Sequence, residues 1–210
     1  MTSRYSNGWI LVGWTALFMA IWTGFILVSG GFSEESFHGV LIVTARVSAS
    51  LFLGAFLARP ISQIFKNTWT RWLLRNRRYL GVSFAVSHTF HLAAIVWLVV
   101  SSSDFRHELE ALPMIGGALG YVFLYAMTAT SFDRSARWLG HKAWTALHTT
   151  GIYYLWFIFF FTYVGNFSRS WIHGVLAVLF GVAMLVRWGA KIKSRRVSNY
   201  FRRLFHHATN

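Results

Sequence analysis

The sequence has no cysteine and only six acidic residues in 210 positions. The first absence excludes disulfides, thiolate metal sites and iron–sulfur ligation, and it leaves the redox compartment unread. The second argues against solubility. Charged residues make up 12% of the chain, against about 25% in a soluble domain. Six carboxylates are too few to cover a water-soluble surface of this size. Hydrophobic residues take their place, at 55% of the chain. A hydrocarbon core roughly 30 Å thick needs about 20 mostly apolar residues per helix. Six such stretches can be read, at about 8–29, 37–58, 79–101, 113–131, 143–165 and 171–189. With their loops they use almost the whole chain. The expectation is an all-α membrane protein, a single transmembrane domain over 1–210 built as a six-helix bundle. The first stretch is too long for the apolar core of a signal peptide and lacks a clear small-residue cleavage site, so it is read as a retained helix.

The net charge of +14 would suggest nucleic acid in a soluble protein. Here the basic residues lie between apolar spans, which points instead to topology and to a bilayer with anionic headgroups. Arg4, six Lys or Arg in 59–78, then Arg134, Arg137 and Lys142, and seven from Arg187 onward place seventeen on one side. The other side has Arg106 and Arg169, and Arg46 lies within the second span. Five acids (Glu34, Glu35, Asp104, Glu108 and Glu110) fall in the less basic loops. Positive residues stay inside, so both termini are expected to be cytoplasmic. The 59–78 connection is expected to hold an interfacial amphipathic helix. Trp69 and Trp72 would lie at headgroup depth, with Arg71, Arg75, Arg77 and Arg78 toward lipid phosphates. Gly116 and Gly120 form a GxxxG whose ordinary meaning is close helix packing. No heptad array or internal repeat is visible.

Ionisable residues inside spans are costly and are functional candidates by default. They are His88 and His91 in the third span, His148 in the fifth and Arg46 in the second. No Asp or Glu lies within a span, which argues against a carboxylate relay. Imidazole is a common ligand of buried haem iron. A b-type haem between two helices needs one His from each at similar depth. Counted at 1.5 Å per residue from Arg78 and Lys142, His88 lies roughly 15 Å in, His91 roughly 20 Å and His148 roughly 9 Å. His88 therefore matches His148 better. His88 and His91 are three apart and share a face, so one can ligate while the other bonds a propionate, a second cofactor or a carbonyl. The ordinary alternative is a set of core histidines bonded to neighbouring helices. Arg46 needs an anion: a haem propionate, a quinone head or internal water, unless it snorkels. His38 and His173 sit near outer span ends, placed for docking or a quinone, although interfacial histidines are usually just wet. His107, His141, His206 and His207 read as solvated. Aromatics are 19% of the chain, with a Phe-rich run at 157–161. Most read as lipid-facing or packing, and some as a wall for a porphyrin.

Arg77-Arg78-Tyr79-Leu80-Gly81 followed by His91 resembles the opening of the third helix in ferric-reductase-like transmembrane domains, in their bacterial MsrQ/YedZ-type haem-binding subgroup. Thr130-Ser131, Arg137-Trp138-Leu139-Gly140 and Trp144-Thr145-Ala146-Leu147-His148 resemble that subgroup's fourth-to-fifth helix pattern. Arg46, fourteen residues before Pro60, resembles its Arg-to-Pro spacing. The resemblance covers the second to fifth helices. It implies a multi-pass subunit of the bacterial inner (plasma) membrane that carries haem b and serves an oxidoreductase. Electrons would pass from a cytoplasmic flavin reductase or quinol to an outer acceptor. In the subgroup that acceptor is a periplasmic molybdopterin enzyme reducing methionine sulfoxide. The resemblance makes His91 and His148 the axial-ligand candidates.

One position departs from the pattern. The family's fifth helix usually carries a second His about thirteen residues after the first, and here that residue is Phe161. One haem is therefore expected, with two as the alternative, and His88 is open to a ligand role. A quinone or FMN is a further cofactor the reading admits. No G-x-G-x-x-G follows a strand, so a donor such as NADH would act through a separate protein. The competing classes are a haem-free transporter or membrane scaffold, and a stand-alone quinol-linked oxidoreductase.

Overall fold

The computed structural model describes the backbone of residues 3–108 and 110–207, and side chains over 8–107 and 110–194. Side chains expected to matter for topology or solvation at Arg4, Glu108, Arg195, Arg196, Arg202, Arg203, His206 and His207 lie outside the described residues. The described chain is helical throughout: α1 (Ser3–Gly30), α2 (Glu34–Ile64), α3 (Thr68–Ser101), α4 (Ser103–Glu108), α5 (Ala111–Ala129), α6 (Asp133–Leu139), α7 (His141–Gly165) and α8 (Trp171–His207), with a 3₁₀ turn at Phe167–Arg169. Five helices are long and apolar enough to cross a membrane: α1, α2, α3, α5 and α8. The chain is a multi-pass helical membrane protein. Although 25 residues long, α7 is not among the five. Its His, Thr, Tyr and Trp residues dilute the apolar run at 155–161.

Local chemistry sets the helix ends. Ser33 caps α2 by accepting from the Ser36 N–H. Gly31, at φ +68°, turns the chain just past α1. Asn67 and Thr70 form a reciprocal capping box that starts α3, satisfying two otherwise orphaned donors. The expected separate helix in 59–78 therefore does not form. α2 continues through Pro60 to Ile64, the break is confined to residues 65–67, and α3 begins at Thr68. Trp69 and Trp72 are exposed on α3.

Lipid chains are as apolar as leucine, so helix association in a bilayer comes from close packing and interhelical hydrogen bonds. The α2–α3 seam shows both. Ala49, Ala55, Ala58 and Ala85 are buried among it, with Ser48, Ser83 and Ser87 fully enclosed. Ser48 Oγ donates to Ser87 Oγ at 3.0 Å. Beside this seam Phe52 stacks with Phe56, Phe159 and Phe180 and meets Phe84 edge-on, joining α2, α3, α7 and α8. α5 lies against α7. The Gly116–Gly120 face meets Ile158, Tyr154 and Leu155, and Tyr154 Oη donates to the Gly116 carbonyl at 2.9 Å. Most of α1 and α5 faces outward.

Pro60 is the main irregularity. It has no N–H, so the carbonyl four residues back, at Phe56, loses its helical donor. Arg187 of α8 fills the gap, with Nη1 donating to the Phe56 carbonyl at 3.0 Å. Its Nε donates to Tyr153 Oη at 3.1 Å, and the guanidinium lies over the Phe56 and Tyr153 rings. Counted in sequence as one of a basic tail, Arg187 is a cross-helix tie.

Candidate functional site

The predicted site residues fall into three places. The first is in the interior of the bundle. His88 and His91 project from one face of α3 with rings stacked at 5.0 Å and 10°. Around His88 lie Phe84, Tyr121 of α5 at 4.9 Å and Phe159 of α7 at 5.6 Å. Thr44 of α2 fixes His91: its Oγ1 lies 2.9 Å from His91 Nδ1. Thr44 Oγ1 is also 2.7 Å from the Val40 carbonyl. When the hydroxyl hydrogen goes to that carbonyl, the Thr44 oxygen accepts from His91 Nδ1, and Nε2 keeps its lone pair, the form that ligates a metal. His88 Nδ1 is buried with no hydrogen-bond partner. A buried polar atom without a partner is costly and calls for an explanation, such as an unseen ligand.

The second place is at the basic end of the bundle. His148 Nε2 lies 3.0 Å from Thr130 Oγ1, and the ring stacks on Trp144 at 4.2 Å. Thr130 sends its own hydrogen to the Ala126 carbonyl at 2.7 Å. With that hydrogen on the carbonyl, His148 Nε2 is the donor and Nδ1 keeps the lone pair. Trp144 Nε1 donates to the Thr130 carbonyl at 2.9 Å, locking the start of α7 onto the end of α5. Gly140 makes the preceding turn with φ 76° and ψ 154°, a region essentially reserved for glycine.

These two places are held apart. His88 packs on Phe159, eleven residues beyond His148 on the same helix, or about 16 Å of axial rise. A second route agrees. Asp133, three residues past Thr130, binds Arg78 at 2.8 Å, and His88 is ten residues further along α3, or about 15 Å. The depth match expected between His88 and His148 does not hold in this structure. Arg78 and Lys142 do not mark one level: through Asp133, Arg78 reaches the level of Thr130 and His148. Among the described residues no group of three His, Asp or Glu is arranged to hold a metal ion.

The third place is Arg46. It is exposed on α2. Two residues after Thr44 the helix has turned by about 200°, so Arg46 does not share the face that bonds His91. It lies in Coulombic range of Tyr163 on α7, whose Oη donates to the Ala45 carbonyl at 3.4 Å. Tyr163 also neighbours His173 of α8, at 5.9 Å, and His173 Nδ1 is the second buried imidazole nitrogen without a partner. His38 is exposed beside Phe105. Phe161, where the family pattern has His, is exposed. Sequence reasoning missed Thr44 and Thr130, the hydroxyls that fix the ring tautomers. The signal was present for Thr130, in the Thr-Ser pair before the basic loop, and absent for Thr44.

The fold and these places define a class: a multi-pass helical membrane protein with imidazoles in its interior and no acid beside them among the described residues. Comparison with known proteins narrows it. The chain has distant curated relatives named "Protein-methionine-sulfoxide reductase heme-binding subunit MsrQ". The relative from Enterobacter sp. (strain 638) is 28% identical over 148 residues, covering 65% of this chain and 72% of the relative. The one from Polaromonas naphthalenivorans (strain CJ2) is 30% identical over 141 residues, covering 63% and 64%. The one from Azospira oryzae is 28% identical over 114 residues, covering 49% of each chain. The matched region thus spans between half and three-quarters of these relatives. No protein-family model matches the chain. No solved structure matches it.

Proposed function

We propose that this chain is a b-type haem-binding, electron-transfer subunit of the bacterial inner membrane, with six spans including α7 and both termini cytoplasmic. It would accept electrons from a cytoplasmic flavin reductase or from quinol and deliver them to an outer reductase acting on methionine sulfoxide. The distant relatives' name supports the last step. The observation that carries the haem reading is the Thr44–His91 bond. It anchors one ring nitrogen at 2.9 Å from a hydroxyl that can accept from it, next to the unpartnered nitrogen of His88. Ligating histidines characteristically donate their second N–H in this way.

The residues present fit a haem in kind. His91 would hold the iron through Nε2, with His88 as the second α3 candidate, and Phe84, Tyr121 and Phe159 would form the apolar wall. When bound, such a group supplies reversible one-electron transfer. The chain's own residues orient the imidazole and exclude water. His148 stands about 15 Å toward the basic end. The arrangement therefore favours two stations along the bundle, the two-haem alternative, over His148 and an α3 histidine sharing one iron. Thr145 and Thr149 flank His148 along α7 and line an open groove of about 480 Å³ with Lys142 and His141.

A second reading, a stand-alone quinol-linked oxidoreductase, is favoured by His173, whose unpartnered Nδ1 lies near Tyr163. A reduced-minus-oxidised spectrum and haem stoichiometry per chain, on wild type and on His88→Ala, His91→Ala and His148→Ala, test the proposal. A b-type band lost or halved in His91→Ala supports it; a colourless wild-type protein refutes it in favour of a transporter or scaffold. His148→Ala should lower stoichiometry while leaving the His91 signal. Loss of all haem from either single variant would restore a shared iron. Quinol oxidation by the isolated chain, abolished in His173→Ala, would favour the second reading.

A further inference from the structure

We propose, on the reading of His91 as the iron ligand, that Ser48 and Ser87 are positioning residues for that imidazole: their bond fixes the rotation of α3 against α2 at which Thr44 meets the ring.

Thr44 and Ser48 are four residues apart on α2, and Ser87 and His91 are four apart on α3, so each pair lies on one helix face, one turn apart. They meet as two rungs. Thr44 Oγ1 is 2.9 Å from His91 Nδ1, and Ser48 Oγ donates to Ser87 Oγ at 3.0 Å. The rungs are about 6 Å apart along the seam. Ser87 Oγ is also 3.4 Å from the Thr44 carbonyl, so it touches the very residue that bonds the imidazole. On its other side it is 3.4 Å from Met19 Sδ of α1. Ser48 and Ser87 are 0% exposed and Thr44 1%, so no solvent competes for these bonds.

Two bonds fix a rotation that one leaves free. A side chain roughly 5 Å from the helix axis moves by about 1.7 Å when the helix turns by about 20°. That carries the 2.9 Å contact between Thr44 and His91 out of hydrogen-bond range. Ser83 sets a purely packing role aside. It lies one turn from Ser87 on the same face of α3, is equally enclosed, and its Oγ has no partner. Ala49, Ala55, Ala58 and Ala85 pack the same seam with no hydroxyl at all. Close approach of the helices therefore does not require the oxygens of Ser48 and Ser87, and what distinguishes these two is their bonding.

The test uses the full-length protein in one detergent, as wild type, Ser87→Ala, Ser48→Ala, Thr44→Val, Ser83→Ala and the double variant Thr44→Val/Ser87→Ala. Two quantities are read: the nitrogen resonances of the His91 ring in haem-free protein, assigned by their loss in His91→Ala, and the haem affinity and midpoint potential of the loaded protein. Ser87→Ala and Ser48→Ala should each move the His91 resonances in the direction that Thr44→Val moves them. Each should weaken haem binding about two- to tenfold, the worth of one hydrogen bond. The potential should rise, because an imidazole that loses the acceptor for its second N–H is a poorer donor to iron. Ser83→Ala should match wild type in both quantities. In the Thr44→Val background Ser87→Ala should add nothing, since it acts through Thr44. Wild-type resonances in Ser87→Ala and Ser48→Ala overturn the positioning role. So does an equal effect of Ser83→Ala, or a full further effect of Ser87→Ala on top of Thr44→Val, either of which assigns Ser87 to packing. A colourless protein whose His91 resonances still move in Ser87→Ala refutes the haem reading alone and upholds the positioning of the ring.

Discussion

The tie between Arg187 and the Pro60 break makes a quantitative prediction. Arg187→Ala removes a charged donor from the Phe56 carbonyl, which has no other helical donor because residue 60 is proline. A hydrogen bond to a charged group contributes about 1.5–3 kcal/mol, and a buried carbonyl left unmade costs about 1–3 kcal/mol. Arg187→Ala also forfeits the Tyr153 bond and the ring contacts, so its total effect does not isolate the carbonyl. A double-mutant cycle does. Pro60→Ala returns an N–H to the Phe56 carbonyl, so in that background Arg187→Ala should cost about 1–3 kcal/mol less than in wild type, within the range for directly coupled positions. For a chain of this length 1 kcal/mol moves a midpoint by roughly 2–4 °C. Thermal unfolding of the four purified proteins in one detergent reads the coupling as a difference of roughly 2–12 °C by the same conversion. If Arg187→Ala costs the same in the wild-type and Pro60→Ala backgrounds, Arg187 is not compensating the proline, and its role is confined to Tyr153 and the aromatic rings.

Thr44→Val keeps the shape and removes the acceptor for His91 Nδ1. It should weaken haem binding about 10–100-fold in a haem titration, with Thr44→Ser near wild type; equal affinity in all three would show that the hydroxyl does not set the ring. Gly140→Ala forces a side chain into a φ of 76°, and should lower stability by about 1–3 kcal/mol in the same unfolding assay. The Arg78–Asp133 pair has side chains 32% and 74% exposed. Asp133→Asn should therefore change stability by no more than about 1 kcal/mol, and a larger loss would show that the pair is shielded from water in the bilayer.

The sequence made some of this architecture legible and concealed other parts for physical reasons. Long apolar runs placed α1, α2, α3, α5 and α8, because a bilayer demands length and apolarity and little else. The path through 59–78 was concealed. Pro60 and a dense set of arginines resemble a loop, and only a tertiary contact from Arg187 lets the helix run through. The Asn67–Thr70 capping box was readable and marks the real start of α3. At the site, the shared face of His88 and His91 followed from helical spacing. The level of His148 did not, because depth depends on how α3 and α7 are offset, and the Arg78–Asp133 pair reveals that offset only in three dimensions. Arg46 stood out as a charge in an apolar run, but periodicity alone did not show that it turns away from the imidazoles.

At 34 residues, α3 is about 51 Å long, well beyond a hydrocarbon thickness of roughly 30 Å. It contains no proline and a single glycine, Gly81. It carries Arg77 and Arg78 near one end and His88 and His91 near its middle on one unbroken rod. A protein docking on the part of this rod that projects past the lipid would therefore move the imidazoles as one piece with its own contact surface. Rotation of the rod by a single residue's angle would swing His91 off Thr44 and His88 off Tyr121 and Phe159 together, changing how the pair is presented.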